Sequence, residues 1–204
     1  MSEVGRSDGP RFTRGVRYAL VVGLARLRVA LGFVFGVLVL ILAQPTGRSV
    51  TIGMSIAACG EAFRIWASGH LNKAREVTTS GPYRWFAHPL YLGSSVMGIG
   101  LAVACADVTV AVLIGVYLVA TLTAAIKSEE AYLRRTFGEQ YDLYRTGIAA
   151  KRASPRAARR RFQVDQALAN REYRAVIGLL VVILLLILKA TYNGVFWRAA
   201  GGRP

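Results

Sequence analysis

The sequence predicts an all-α, multi-pass integral membrane protein with about five transmembrane helices, two of them joined in a tight hairpin. Three observations predict it. Of 204 residues, 54% are hydrophobic and the mean hydropathy is +0.40, high for a chain solvated only by water. The same chain carries 26 Lys and Arg against 11 Asp and Glu, a net charge of +15. The apolar residues fall in long runs, and most cations fall between those runs. Such apolar content excludes disorder, and a membrane protein with basic flanks reconciles high hydropathy with high charge.

The runs are Leu27–Ala43, Val50–Ser68, Pro89–Ala106, Val108–Ile126 and Ala175–Ala190. A hydrocarbon core takes about 20 apolar residues, with about 17–25 tolerated, so the first run is short. Backbone groups in lipid must bond internally, which makes these spans helices rather than open strands. Only Asp107 separates the third run from the fourth, so those two form a hairpin. Residues 1–26 form a basic N-terminal segment and 27–147 the membrane core. A polybasic juxtamembrane segment follows over 148–174, then a final span and short tail over 175–204. Arg6, Arg11, Arg14, Arg17, Arg26 and Arg28 stand at or before the first run, and Lys73, Arg75 and Arg84 between the second and third. Residues 127–174 hold twelve cations against six acids. The positive-inside rule puts all three pieces in the cytoplasm, and five crossings leave the C-terminus outside the cell membrane. A cleaved signal peptide is the rival reading of the first run; its long basic lead and the poor cleavage site Leu42-Ala43-Gln44 argue against it.

Most of the charge sits beside spans, where anionic lipid headgroups are the nearest partner, so no nucleic-acid partner is expected. The densest part, Lys151 to Arg161, is read as a lipid-facing patch, and Phe162–Leu168 as a short amphipathic surface helix. Cys59 and Cys105 lie inside apolar runs and suggest neither a disulfide nor a metal site. Gly32 and Gly36 have the spacing of close-packed membrane helices. A homodimer is a further arrangement the sequence allows.

Three groups of residues are costly to place. Glu61 and Arg64 share one face of the second span, where they either pair with each other or serve a buried polar site. The stretch from Thr78 to Gly93 opens with the turn Gly81-Pro82-Tyr83-Arg84. It then places His88 before Pro89, at a helix start where the dipole favours an anionic group. Its bland reading is an interfacial aromatic anchor. After the fourth span come Lys127, Glu129 and Glu130, then Leu133, Phe137, Tyr141 and Tyr144 at helical spacing, interrupted by Gly138. The bland reading of the paired acids is neutralisation of neighbouring arginines.

Together the two polar stretches resemble the isoprenylcysteine carboxyl methyltransferase family, which is related to the membrane phospholipid methyltransferases. The likeness rests on Gly81-Pro82-Tyr83-Arg84, on His88-Pro89 with Tyr91 and Gly93, on the hairpin, on Glu129-Glu130, and on Leu133, Phe137-Gly138, Tyr141 and Tyr144. It covers roughly residues 60–147. It implies a multi-span helical enzyme that takes its methyl group from S-adenosylmethionine in a cytoplasm-facing pocket, with a lipophilic acceptor entering from the bilayer. Gly81, Pro82 and Tyr83 would border the cofactor, and His88 and Tyr91 would hydrogen-bond it. Gly93 would allow its close approach, and Glu129 or Glu130 would bind its ribose or ammonium group. Arg64 and Lys127 would face the acceptor, and Arg64, His88 and Glu130 would form the catalytic group. One departure is Ala87, where the family carries Arg; Arg84, a turn earlier, is the substitute at hand.

Methyl transfer from a sulfonium asks the protein mainly to align the reactants and exclude water. A carboxylate acceptor needs no base, whereas an amine acceptor must first lose a proton to His88, Tyr91 or a glutamate. Two other readings remain. One is a membrane sterol or lipid reductase of related helical arrangement using NADPH. The other is a non-catalytic protein binding anionic lipid through Lys151–Arg161.

Overall fold

The computed structural model describes residues 31–72, 78–146 and 161–199, with side chains as far as 194. The basic segment 1–26, Lys73, Arg75 and the polybasic run up to residue 160 lie outside the described residues. Every regular element among the described residues is helical: α1 (Leu31–Leu42), α2 (Gly47–Ser68), a 3-10 turn (Gly81–Arg84), α3 (Pro89–Cys105), α4 (Val108–Phe137), α5 (Glu139–Arg145), α6 (Val164–Ala169) and α7 (Tyr173–Ala199). The apolar helix α1 falls almost wholly in a unit of its own, residues 1–41, and the remaining helices belong to the second.

The second unit is organised by the seam between α2 and α3. A Cβ added to Gly53 would lie 2.4 Å from Gly100 O, and one added to Gly60 would lie 2.5 Å from Met97 N. From the other side, a Cβ on Gly100 would lie 2.4 Å from Ala57 N. Glycine and alanine at these positions let two backbones touch, which is how helices associate where apolar burial alone gives no preference. Thr46 begins α2 with a reciprocal cap: its hydroxyl accepts from Ser49 N at 3.1 Å, and Ser49 Oγ accepts from Thr46 N at 2.9 Å. Ser49 Oγ also donates to Ala104 O at 3.1 Å, and Gln44 N donates to Cys105 O at 2.8 Å, tying the start of α2 to the end of α3.

The hairpin forms where it was expected, but its turn needs two residues. Ala106 adopts the left-handed region at φ 50°, and Asp107 then caps α4 by accepting from Val110 N at 2.9 Å. Helix α4 does not stop with the apolar run at Ile126 but continues to Phe137. Gly138, at φ 50° and ψ −125°, breaks it, so Tyr141 and Tyr144 lie on a separate helix instead of extending one face. Helix α7 packs Leu179 and Ile183 against Ala57, with Met54, Met97 and Leu101 around them. The expected surface helix after Phe162 is present as α6, docked to the end of α2: Gln163 N donates to Gly69 O at 3.1 Å, and Ala167 is buried.

Two of the described helices, α4 and residues Tyr173–Gly194 of α7, are long and apolar enough to cross a membrane. Only 11% of each apolar stretch is buried inside the protein, so their faces are open to the surroundings rather than part of a core. Val112, Val116 and Val119 on α4, and Ile177, Leu180, Leu184 and Leu188 on α7, are all at least half exposed. Lipid is the solvent that tolerates such surfaces.

Candidate functional site

Helix α3 starts and the apolar part of α4 ends at the same end of the hairpin. From Val108 to Glu129, α4 rises about 32 Å at ~1.5 Å per residue, close to one hydrocarbon thickness. Glu129 and Glu130 therefore return to the level of His88, which immediately precedes α3. His88 Nε2 lies 3.4 Å from Glu130 Oε1, and Nδ1 lies 3.9 Å from Glu129 Oε2. Tyr91, one turn into α3, stands beside them, its ring centroid 5.8 Å from that of His88. The structure thus brings together His88, Tyr91, Glu129 and Glu130 from two helices.

The cation facing Glu130 is Arg145, whose Nη1 lies 2.7 Å from Oε1. Arg84 and Ala87 are both exposed, and the guanidinium that reaches Glu130 comes from α5. Beside it, the Tyr144 hydroxyl donates to two carbonyls, Tyr83 O at 3.0 Å and Phe86 O at 3.2 Å. That bifurcated bond fastens α5 to the turn between Gly81 and His88. The turn itself depends on Gly81 at φ +56°, where a Cβ would also strike the His70 ring at 2.5 Å. Pro82 and Tyr83 are buried behind it, and His70 Nδ1 lies 3.3 Å from Ser80 Oγ.

A second polar cluster adjoins the first. Arg64 donates from Nε to Glu172 Oε1 at 2.8 Å and from Nη1 to Ser94 Oγ, and its Nη2 lies 2.7 Å from Glu172 Oε1. Glu61 Oε2 is 3.2 Å from the same Nε. Gly93 faces this cluster: a Cβ there would lie 2.6 Å from Arg64 Cγ and 2.8 Å from Gly60 O, so its bareness lets α2 approach. Lys127 is exposed on α4 and is not brought to either cluster.

Tyr83 stands between the two. Its ring is 8% exposed, and its hydroxyl has no hydrogen-bond partner among the described residues. Burial raises its pKa far above the usual 10, and the negative charges of Glu129 and Glu172 add to the rise. Tyr144 is raised by burial and by its neighbours Tyr141 and Glu129; Tyr141 is raised by burial and Glu130, against the lowering pull of Arg145 and Arg134. All three phenols are therefore proton donors, not phenolates, at neutral pH.

Arg145, Tyr144, Ser94 and Glu172 were not singled out for these roles from sequence. The paired acids signalled a need for counter-charge, and a Tyr-Arg pair after a helix-breaking glycine was available to meet it. Glu172, one acid among Arg171, Tyr173 and Arg174, gave no such signal. Among the described residues no three His, Cys, Asp or Glu side chains converge as a metal-binding set. A shallow apolar groove lined by Gly98, Ala102, Ala111, Ile114 and Leu118 lies at the hairpin's turn end, away from both polar clusters.

A family model described as phospholipid methyltransferase matches residues 31–140, more than half of the chain. The chain belongs to the phospholipid methyltransferase family. The matched segment holds Arg64, the Gly81–Tyr83 turn, His88, Tyr91, Gly93 and the Glu129–Glu130 pair, and ends before Arg145 and Glu172. Over 98 residues, 47% of the chain, it is 31% identical to the nickel-cobalt-cadmium resistance protein NccN of Alcaligenes xylosoxydans xylosoxydans. Over 94 residues, 46% of the chain, it is 28% identical to the protein-S-isoprenylcysteine O-methyltransferase of Schizosaccharomyces pombe. These matches span only 46% and 40% of the two relatives, so the chain covers less than half the length of either. No solved structure matches. Family and relative together support a methyltransferase associated with membranes, as the residue-level resemblance implied.

Proposed function

We propose that this chain transfers a methyl group from S-adenosylmethionine to a lipophilic acceptor that reaches the site from the bilayer. The observation that supports it is the charge of the site. In a chain of net +15, four carboxylates, Glu61, Glu129, Glu130 and Glu172, gather around two guanidiniums and one imidazole. Such a site suits a ligand that carries a sulfonium and an ammonium against a single carboxylate. It disfavours NADPH, whose phosphates bring several negative charges. The unpartnered Tyr83 hydroxyl offers a buried donor, and Glu129 and Glu130 offer acceptors for an ammonium or ribose hydroxyls.

When bound, S-adenosylmethionine supplies an electrophilic methyl. The chain's own groups hold and orient. His88, beside Glu130, is placed to take a proton from an amine acceptor, whereas a carboxylate acceptor requires no base. The fold we infer around this site has five crossings, with the N-terminus and the site facing the cytoplasm and the C-terminus outside. The basic run up to Arg161 meets anionic headgroups, and pairing with a second copy is compatible with this scheme.

Calorimetric titration of the detergent-solubilised protein with S-adenosylmethionine and with NADPH tests the reading. Binding of the first alone is expected. Labelled methyl should pass into extracted lipid or prenylated thioether, and His88→Ala or Glu130→Ala should lower that transfer about a hundredfold or more. Binding of NADPH alone, or unchanged transfer in both variants, would remove the proposal.

A further inference from the structure

One face of α7 carries its own depth marks. Tyr173, Ile177, Leu180, Leu184, Leu188 and Tyr192 recur every three or four residues, so they share that face, and each is at least 44% exposed. From Tyr173 to Tyr192 the helix rises about 29 Å at ~1.5 Å per residue, one hydrocarbon thickness. Tyrosine is enriched where a span meets the headgroups. Aliphatic side chains bounded by a tyrosine at each end therefore put Tyr173 at the boundary on the side of Arg64, with which Glu172 pairs.

The chain reaches that level through α6, which is fastened there. Gln163 N donates to Gly69 O at 3.1 Å, and Asn170 Nδ2 donates to Ser68 O and Leu71 O, both at 2.9 Å. These bonds meet carbonyls at and just past the end of α2. A side chain at Gly69 would strike the Phe162 ring. From Phe162 a row of rings crosses from α6 to α2 and on to the turn before α3. Centroid distances are 6.4 Å to His70, 6.3 Å from His70 to Trp66, and 6.2 Å from Trp66 to Trp85. Phe63 links Trp66 at 5.7 Å to Phe86 at 6.2 Å. The row packs on itself yet stays open outward: Trp85 is 68% exposed, and Trp66, Phe86 and Phe162 are exposed as well. On α6, Val164 and Leu168 stand one turn apart and are more than half exposed, while Ala167 is buried.

This surface has a cationic border. Arg84 adjoins Trp85, Arg161 adjoins Phe162, and Arg171 and Arg174 flank Tyr173; all four are exposed. Between residues 161 and 174 the exposed acid is Asp165, since Glu172 is buried against Arg64. Rings and aliphatic side chains bordered by arginines, at the depth where a span ends, fit an anionic leaflet. Continuity with the exposed face of α7 favours lipid over a protein partner. We infer that α6 and the aromatic row form an in-plane foot seated in the headgroup layer of an anionic leaflet, level with Tyr173. Asn170 and Glu172 join this foot to the end of α2 and to Arg64, so its seat sets the depth at which the polar clusters meet the bilayer. The foot requires α7 to cross the membrane but requires no methyl transfer, so loss of that reading would leave it standing.

Tryptophan fluorescence in vesicles tests it. The chain holds Trp66, Trp85 and Trp197, and Trp66→Phe with Trp197→Phe leaves Trp85 alone. Phe162→Trp and Leu184→Trp, each in a tryptophan-free chain, supply a second probe on the foot and one in the middle of α7. The full chain is reconstituted in phosphatidylcholine brominated either just below the headgroup or near the chain end, with and without phosphatidylglycerol. Both foot probes should be quenched about twofold more by the shallow bromine than by the deep one, and more again with phosphatidylglycerol present. The Leu184→Trp probe should favour the deep bromine. Val164→Asp with Leu168→Asp should move the Phe162→Trp probe from bromine quenching to quenching by aqueous iodide and leave the Leu184→Trp probe unchanged, which shows that α7 still crosses. Arg161→Gln, Arg171→Gln and Arg174→Gln together should remove the response to phosphatidylglycerol. Foot probes quenched by iodide and not by bromine would overturn the inference. So would protection from both quenchers, which would put another protein chain on this surface. Indifference of the unaltered foot to phosphatidylglycerol, or iodide quenching of the Leu184→Trp probe, would overturn it too.

Discussion

Three phenols, two buried and one half-buried, show how single side chains shape this site. Tyr83 and Tyr141 hold hydroxyls with no partner among the described residues, a cost of about 1–3 kcal/mol each unless a ligand or water meets them. Tyr144, in contrast, spends its proton on two carbonyls and locks α5 to the turn at Gly81. Tyr144→Phe is expected to lower stability by about 1–2 kcal/mol, read as a fall in melting temperature in detergent. The same change should weaken binding of S-adenosylmethionine severalfold, since Arg145 next door faces Glu130. Acidity gives a second expectation. All three phenols are raised above the usual 10, by burial first, so the folded chain holds these protons more tightly than the unfolded chain does. Their stabilising contribution is complete below pH 10 and is lost as the pH climbs past it. Melting temperature should stay level in this respect from neutral pH to about 9 and then drop, and a loss centred near neutrality would point to other groups.

At the scale of elements, the α2–α3 seam makes the sharpest demand on sequence. Gly60→Ala or Gly100→Ala would drive a methyl into backbone about 2.5 Å away, and neither helix can yield without lifting off the other. Each should cost about 1–3 kcal/mol or more. Gly178→Ala on α7 meets nothing within 4 Å, so it should be neutral or stabilise by about 0.5–1 kcal/mol through helix propensity. Equal melting shifts for all three would refute the seam as the organising contact. This seam was not legible in the sequence, where Gly32 and Gly36 drew notice instead. Close approach belongs to a pair of helices, and one strand of spaced glycines does not name its partner. The hairpin was legible, because two apolar runs parted by one acid leave no other path. Its far end was less so: hydropathy marks where lipid stops, but backbone hydrogen bonding carried α4 on to Phe137 until Gly138 ended it.

For the whole molecule, the same logic separates what could be foreseen at the site from what could not. His88, Glu129 and Glu130 meet because two helices of one hairpin traverse similar heights, a fact the spacing contains. Arg145 and Glu172 join only through a helix break and a distant second anchor, α7, and no local pattern encodes either. The membrane reading supplies the remaining expectation. From Thr109 to Ser128, α4 climbs about 29 Å at ~1.5 Å per residue, one hydrocarbon thickness. Both positions are exposed. In a Cys59→Ser, Cys105→Ala background, Thr109→Cys should therefore react with a membrane-impermeant maleimide in intact cells, while Ser128→Cys should react only after permeabilisation. Reaction of both from one side would mean that α4 does not cross. The acidic cluster would then lose its access to lipid, and an acceptor arriving from the bilayer would have no route to His88.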